Sequence, residues 1–213
     1  MYTPSHFQVD DVAAIHAMLR RHPFALLVTP HAGELHMTHL PFHLDAARGE
    51  RGTLEAHLAR VNPHCAALLA GAASVVVFKG PDAYVSPRWY TDPAKNVPTW
   101  NYVAIHAHGC PVTSDDPAQI LKVIGTLTDE HEAHIERPWS VKEAQPYAER
   151  LASQVLAFEI RIARLEGKFK LSQNHPPANR AGVMREFGKI DESMHREMLE
   201  LMRGLYAEDG KPR

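Results

Sequence analysis

VFKGPDAYVSPRWYTDPAKNVPTWNYVAIHAHG, residues 77–109, holds two of the chain's three Trp, three of its six Tyr and four Pro (Pro81, Pro87, Pro93, Pro98). Large aromatic rings bury much area and carry an N–H or O–H that needs a partner. Proline fixes the backbone and lowers the entropy cost of holding a segment still. At the C-terminal end the stretch alternates: Trp100, Tyr102, Ala104 and His106 fall on one face of a strand, Asn101, Val103 and Ile105 on the other. At its N-terminal end Ser74–Phe78 is the most β-branched run of the chain and predicts a buried strand. A rigid aromatic segment between two strands suits a flat ligand; it equally suits a segment that caps its own core.

Outward from this stretch, the pattern is α+β. Asp10 or Asp11 caps a predicted helix to Arg21, ended by Pro23. Phe24–Thr29 and Glu34–Pro41 form a hairpin about the Gly33 turn, and Thr53–His57 is a further strand. Asn62–Leu69 is a short helix with Pro63 at its first position. Asp116 and Pro117 open a helix to about His134, and a second helical segment lies near Lys142–Ser153. Val155–Leu165 alternates again, followed by a polar, basic turn-like stretch, Gly167–Asn174. Past Pro176-Pro177, an apolar stripe (Val183, Phe187, Ile190, Met194, Met198, Leu201, Leu205) marks a C-terminal helical region over about 180–206, broken near Gly188 and suited to core or dimer packing. Six or seven strands with helices not regularly interleaved predict one domain over 1–213, a small antiparallel barrel with helices packed outside.

The bulk numbers exclude several classes. A formal net charge of −2 gives no global attraction to nucleic acid or anionic membrane. Cys65 and Cys110 form no metal spacing and no disulfide framework, which fits a reducing interior. With no signal peptide and no apolar run near 18 residues, the expected location is cytoplasmic. No Walker loop, GxGxxG or GxSxG is present. Glu130-His131-Glu132-Ala133-His134 lacks the spacing of HExxH and reads as an exposed helical turn. His36, His39 and His43 cluster at the second strand, with His39 and His43 on one face if the strand continues; without a carboxylate or thiolate nearby, no metal site is expected. Thr38, His39, His57, Arg60 and the Asn62 amide make a set that suits a phosphate, although Arg60 also reads as a solvated surface residue. Lys168, Lys170, Ser172, Gln173 and Asn174 make a second polar set, fit for a phosphate, a flavin edge or a plain turn.

Five segments together resemble the PaiB family of FMN-binding negative transcriptional regulators: THLPF (38–42), HLARVNPH (57–64), FKGPDAYVSPRWY (78–90), VPTWNYVAIHAHG (97–109) and EGKFKLSQN (166–174). They run in family order across nearly the whole chain, and the last two strings are long and rich in rare residues. Arg88 stands where the family pattern has a small residue, and Ala56 where it has Gly. The resemblance implies an antiparallel split β-barrel of the FMN-binding type, a homodimer, and FMN held near the protomer boundary. The cofactor-binding residues it carries over are Thr38, His39, Arg60 and Asn62, aromatic walls from Trp89, Tyr90, Trp100 and Tyr102, and Lys170 and Gln173 supplied by the partner chain. It implies no metal and assigns no catalytic residue. The function it implies is negative regulation of transcription, with direct contact to DNA or an indirect effect both left open. A flavin-dependent oxidoreductase using reduced nicotinamide is the alternative, with His106 and Tyr102 as acid candidates, and a haem-binding role comes third.

Overall fold

Short turns and β-branched runs cut the chain into ten strands and six α-helices within residues 1–207, the part that the computed structural model describes. In chain order these are β1 (Gln8–Val9), α1 (Val12–Arg21), β2 (Phe24–His31), β3 (Glu34–Pro41), β4 (His43–Asp45), β5 (Thr53–Ala59), α2 (His64–Leu69) and β6 (Ser74–Val85). Then follow β7 (Thr99–Gly109), β8 (Pro111–Ser114), α3 (Pro117–Glu132), α4 (Gln145–Ala152), β9 (Val155–Arg161), β10 (Arg164–Lys170), α5 (Pro177–Phe187) and α6 (Ser193–Tyr206). The strand pairs β1–β10, β2–β3, β2–β6, β4–β5, β5–β9 and β8–β9 are all antiparallel, so the chain is α+β as the pattern predicts. No described helix is long and apolar enough to cross a membrane.

The chain divides into two compact units: residues 1–11, 79–105 and 166 onward in the first, 12–78 and 106–165 in the second. In the second unit, β2 and β3 pair from Phe24↔Pro41 to His31↔Glu34 about a two-residue loop. Ala32 and Gly33 both have positive φ there (51° and 81°), the left-handed pair that matches the twist of a hairpin. β2 also pairs with the start of β6. A separate sheet runs in the order β4-β5-β9-β8. Phe42, Phe78 and Phe158 fill the core beside these strands, with ring centroids 5.9 and 6.2 Å from Phe42. Ile120, Val123 and Leu127 of α3 close a further core against Ala152 and Ala157. Glu55, buried on β5, is neutralised by Arg48, whose Nη2 lies 2.9 Å from it and 2.9 Å from Glu159.

In the first unit the strand order is β1-β10-β7-β6, with Gln8↔Lys168 and Val9↔Gly167 in register. One sequence expectation changes here. The basic stretch after Gly167 is strand as far as Lys170, because Phe169 and Leu171 are buried and bring it into the sheet. The apolar stripe at the C-terminus lies on two helices, α5 and α6, with the break near Gly188 that the sequence indicates, and its Val183, Phe187 and Met198 are core residues. The aromatic stretch docks on α5: Trp89 meets Phe187 edge-on at 5.7 Å, and Asn179 Oδ1 accepts from the Thr91 N–H and hydroxyl, both at 3.0 Å. Gly182 lets α5 approach so closely that a Cβ there would collide with the Trp89 carbonyl oxygen.

Candidate functional site

The predicted phosphate set is partly assembled, all within the second unit. A turn after β5, with the Asn62 N–H donating to Ala59 O at 2.9 Å, carries Arg60 and Asn62 to the start of α2. There a chain of hydrogen bonds closes on His64. The His64 backbone N–H donates to Asn62 Oδ1 (2.9 Å), which orients the amide. Asn62 Nδ2 donates to Thr38 Oγ1 (3.3 Å), and the same oxygen lies 2.9 Å from His64 Nδ1. When the Thr38 hydroxyl donates to Nδ1, neutral His64 carries its own proton on Nε2. That atom is buried and has no hydrogen-bond partner among the described residues. Burial first, and His36 second, lower the His64 pKa to about 4, which keeps the ring neutral at pH 7.

His36 lies on β3 on the same face as Thr38, with its ring 5.6 Å from His64. His39, the residue the sequence nominated, does not join them. It alternates to the opposite face of β3, is exposed, and stacks on Phe24 at 6.2 Å. His43 belongs to β4 rather than β3, so the two do not share a strand face; its Nδ1 is 2.7 Å from Glu130 Oε1. His57 is half-buried on β5, its pKa lowered by burial. Arg60 pairs with the exposed Asp115. His64 lies in the HLARVNPH string, where its neighbours in sequence give it no role. The signal was available in the i, i+2 relation of His36 to Thr38, but the tautomer needs the fold.

The other nominated residues lie in the first unit. Tyr90 is buried and stacks on His175 at 4.6 Å, with its hydroxyl 3.3 Å from Nε2. Trp89 is half-buried against Phe187, so these two rings serve the core they cap. Tyr102 lies beside Lys168, whose Nζ is 5.1 Å from the ring centroid. Trp100 is 52% exposed and meets Tyr84 at 5.9 Å. Gln173 uses its amide on its own backbone, donating to Phe169 O and accepting from Leu171 N, both at 2.6 Å. Lys170 donates to Thr99 Oγ1 at 2.5 Å. Arg88 is exposed on the short turn Pro87–Trp89.

A phosphate needs several N–H and O–H donors and a cation. Among the described residues the buried Nε2 of His64 is an unpartnered atom that a phosphate oxygen would satisfy when it carries the ring proton, and Asn62 and Arg60 add an amide and a cation on the preceding turn, so the residues fit the phosphate of a flavin mononucleotide.

Comparison with known proteins agrees. Residues 1–164 match the family described as "Putative FMN-binding domain". The chain is 29% identical over 206 residues to protease synthase and sporulation protein PAI 2 of Bacillus subtilis, covering 95% of this chain and 96% of that protein. It is 31% identical to an uncharacterized protein of Emericella nidulans, covering 89% and 91% of the two chains. Among solved structures it is similar in fold to the FAD and heme binding protein of Mycobacterium smegmatis (TM-score 0.56, 17% identity, 77% of this chain and 73% of that one). It is similar also to the conserved hypothetical protein Rv2991 of Mycobacterium tuberculosis (TM-score 0.59, 11% identity, 83% and 94%). With the match spanning most of its length, this chain belongs to the FMN-binding domain family that the PaiB-type motifs indicated.

Proposed function

We propose that the chain is a cytoplasmic FMN-binding protein of the split-barrel type that reads the flavin phosphate with His64, Asn62 and Arg60. The observation that carries this reading is the buried Nε2 of His64, which has no partner among the described residues and carries the ring proton when Thr38 donates to Nδ1. An unsatisfied buried donor costs about 1–3 kcal/mol, which an accepting phosphate oxygen would recover. When bound, the isoalloxazine supplies hydride or single-electron chemistry; the residues named here hold and orient its phosphate end.

A homodimer is part of the proposal. The cross-strand register gathers Phe24, Leu26, Val28, Leu35, Met37, Val75 and Val77 on one sheet face. Phe24, Leu35 and Met37 are 64%, 57% and 61% exposed, an apolar face suited to a second copy. The biological role proposed is negative regulation of transcription, supported by the PaiB-type motifs and by the Bacillus relative, whose name ties it to protease synthesis and sporulation. A net charge of −2 offers DNA no global attraction, so the regulatory reading requires a local contact or an indirect route.

A flavin-dependent oxidoreductase is the second reading. His175, stacked on Tyr90 beside Lys170 in one pocket of the first unit, favours it by offering groups able to move protons.

The test is a titration of the purified protein with FMN and, separately, riboflavin. Tight FMN binding with far weaker riboflavin binding, and loss of that preference in Arg60→Ala, is expected. Equal affinity for the two flavins would remove the phosphate site. Selection of genomic DNA fragments with and without FMN, and oxidation of reduced nicotinamide by the loaded protein, then separate regulator from oxidoreductase.

A further inference from the structure

A pocket of about 260 Å³ opens in the first unit between the segment 95–101 and the end of β10 with the turn that follows it. Its lining includes Lys95, Thr99, Asn101, Lys170, Ser172 and His175, and no Asp or Glu. Lys170 is half-buried there and donates a hydrogen bond to the neutral Thr99 hydroxyl. Burial pulls its ammonium below the ordinary value, Tyr102 partly offsets this, and Lys168 adds to it; no carboxylate figures among these influences. A half-buried cation with no anionic partner is costly unless something anionic completes it.

The floor of the pocket is built rather than incidental. Ser172 holds φ +67°, a conformation that a residue with a Cβ seldom adopts. It is fixed there by reciprocal bonds with buried Asn101: Asn101 Nδ2 donates to Ser172 Oγ at 3.0 Å, and Ser172 Oγ donates to Asn101 Oδ1 at 3.1 Å. The His175 N–H donates to Ser172 O at 3.0 Å, and the Gln173 side chain ties the same turn to Phe169 and Leu171. Backbone strain of this kind persists where the surroundings over-determine it, and it concentrates at ligand sites. The turn brings His175 to the pocket beside Lys170. Burial, and then the Lys170 charge, lower the His175 pKa, so the ring is a neutral hydrogen-bonding group until an anion arrives.

We propose that this pocket, built from residues other than those of the His64 cluster, is a site for a small organic anion whose carboxylate or phosphate is taken by Lys170 with His175 beside it. The volume suits a metabolite-sized molecule, and the all-cationic and neutral lining selects for negative charge. The proposal stands on the first unit's own residues and does not depend on the flavin reading.

The full-length, FMN-saturated protein should be titrated with succinate and, separately, with inorganic phosphate, following the imidazole resonances of His175 by NMR (assigned with His175→Gln). A saturable shift with either probe is expected, the tighter one naming the oxyanion class. Lys170→Met should weaken that binding at least about tenfold, the order expected for losing a charge-assisted hydrogen bond. Thr99→Val, which keeps the side-chain shape and removes the hydroxyl that holds Lys170, should weaken it by a smaller factor and covers the case in which Lys170→Met fails to fold. The proposal is overturned if neither probe saturates, if affinity survives both Lys170→Met and Thr99→Val, or if the anion displaces FMN.

Discussion

Thr38 Oγ1 lies 2.9 Å from His64 Nδ1 and 3.3 Å from Asn62 Nδ2, so a strand residue and a turn amide meet at the first residue of a helix. When the Thr38 hydroxyl donates to Nδ1, the neutral ring carries its proton on Nε2, the buried atom without a partner among the described residues.

The first prediction concerns that donor. His64→Leu keeps a side chain of similar bulk in the buried site and removes the ring nitrogens. A hydrogen bond to a charged acceptor contributes about 1.5–3 kcal/mol, so FMN affinity should fall about tenfold or more while riboflavin affinity holds. Parallel fluorescence titrations of the two flavins check this. An equal loss for both would mean that His64 supports the fold rather than the phosphate.

The second concerns pH. His64 is held at about 4 against an ordinary 6.5, by burial and then by His36. Because the folded value is the lower one, the unfolded chain takes up the proton first as pH falls. The stability gained by keeping His64 neutral is complete above 6.5 and is lost as pH falls through about 4. Burial lowers His57 and His175 too, so they act in the same direction. Denaturation midpoints should therefore decline between 6.5 and 4, and His64→Gln should flatten part of the decline. A variant curve parallel to the wild type would show that His64 titrates normally in the folded protein.

The third turns on competition for Arg60. Its guanidinium is paired with Asp115, an exposed carboxylate on the loop before α3. Exposed pairs contribute about 0.2–1 kcal/mol, so Asp115→Asn should tighten FMN binding by up to about fivefold and leave riboflavin unchanged. The gain should shrink with added salt, because the competing interaction is screened. Calorimetry at two ionic strengths measures both effects; weaker FMN binding in Asp115→Asn would mean that the carboxylate positions Arg60 for the ligand.

Much of this was legible in the chain. The Phe24–Pro41 hairpin, the alternation of β7 and the opening of α3 at Asp116-Pro117 follow from period-2 patterning, a left-handed two-residue turn and an N-cap, all of them local signals. The PaiB-type strings carried the family. What was not legible depended on contacts distant in sequence. His39 looked like a partner for Thr38 because it is adjacent, yet strand alternation sends neighbours to opposite faces and gives the place to His36. Gly167–Lys170 looked like a turn because of its lysines, yet β1 pairs with it and Phe169 is buried. Trp89 and Tyr90 looked like walls for a ligand, yet α5 and the His175 turn cover them, which no window around residue 90 could reveal.

The fourth prediction tests the proposed dimer. Met37 sits in the exposed apolar face of β3, where it opposes Val28 across the hairpin. Met37→Glu places a charge on a solvent-facing position, so the fold should survive while a dimer built on this face would have to bury that charge without a partner. Sedimentation velocity should show a dimer for the wild type and a monomer for the variant. A variant that remains dimeric would move the interface elsewhere.

The fifth isolates the docking of the aromatic segment on α5. Gly182 is buried in the middle of α5, where alanine would ordinarily raise helix propensity by about 1 kcal/mol. Here the added methyl meets the Trp89 carbonyl oxygen, a backbone atom that cannot swing aside. Either α5 withdraws, loosening the Trp89–Phe187 contact and the Asn179 bonds to Thr91, or the turn at Pro87–Trp89 shifts against its two flanking constraints. Both routes lose packing, and the cost of forcing one carbon into a filled core is about 1–3 kcal/mol, enough to outweigh the propensity gain. Gly182→Ala should therefore lower the urea midpoint, with reduced protection of the Thr91 amide in hydrogen exchange. If the propensity gain won instead, the variant would be stabilised, and the close approach of α5 to Trp89 would not be what requires glycine at position 182.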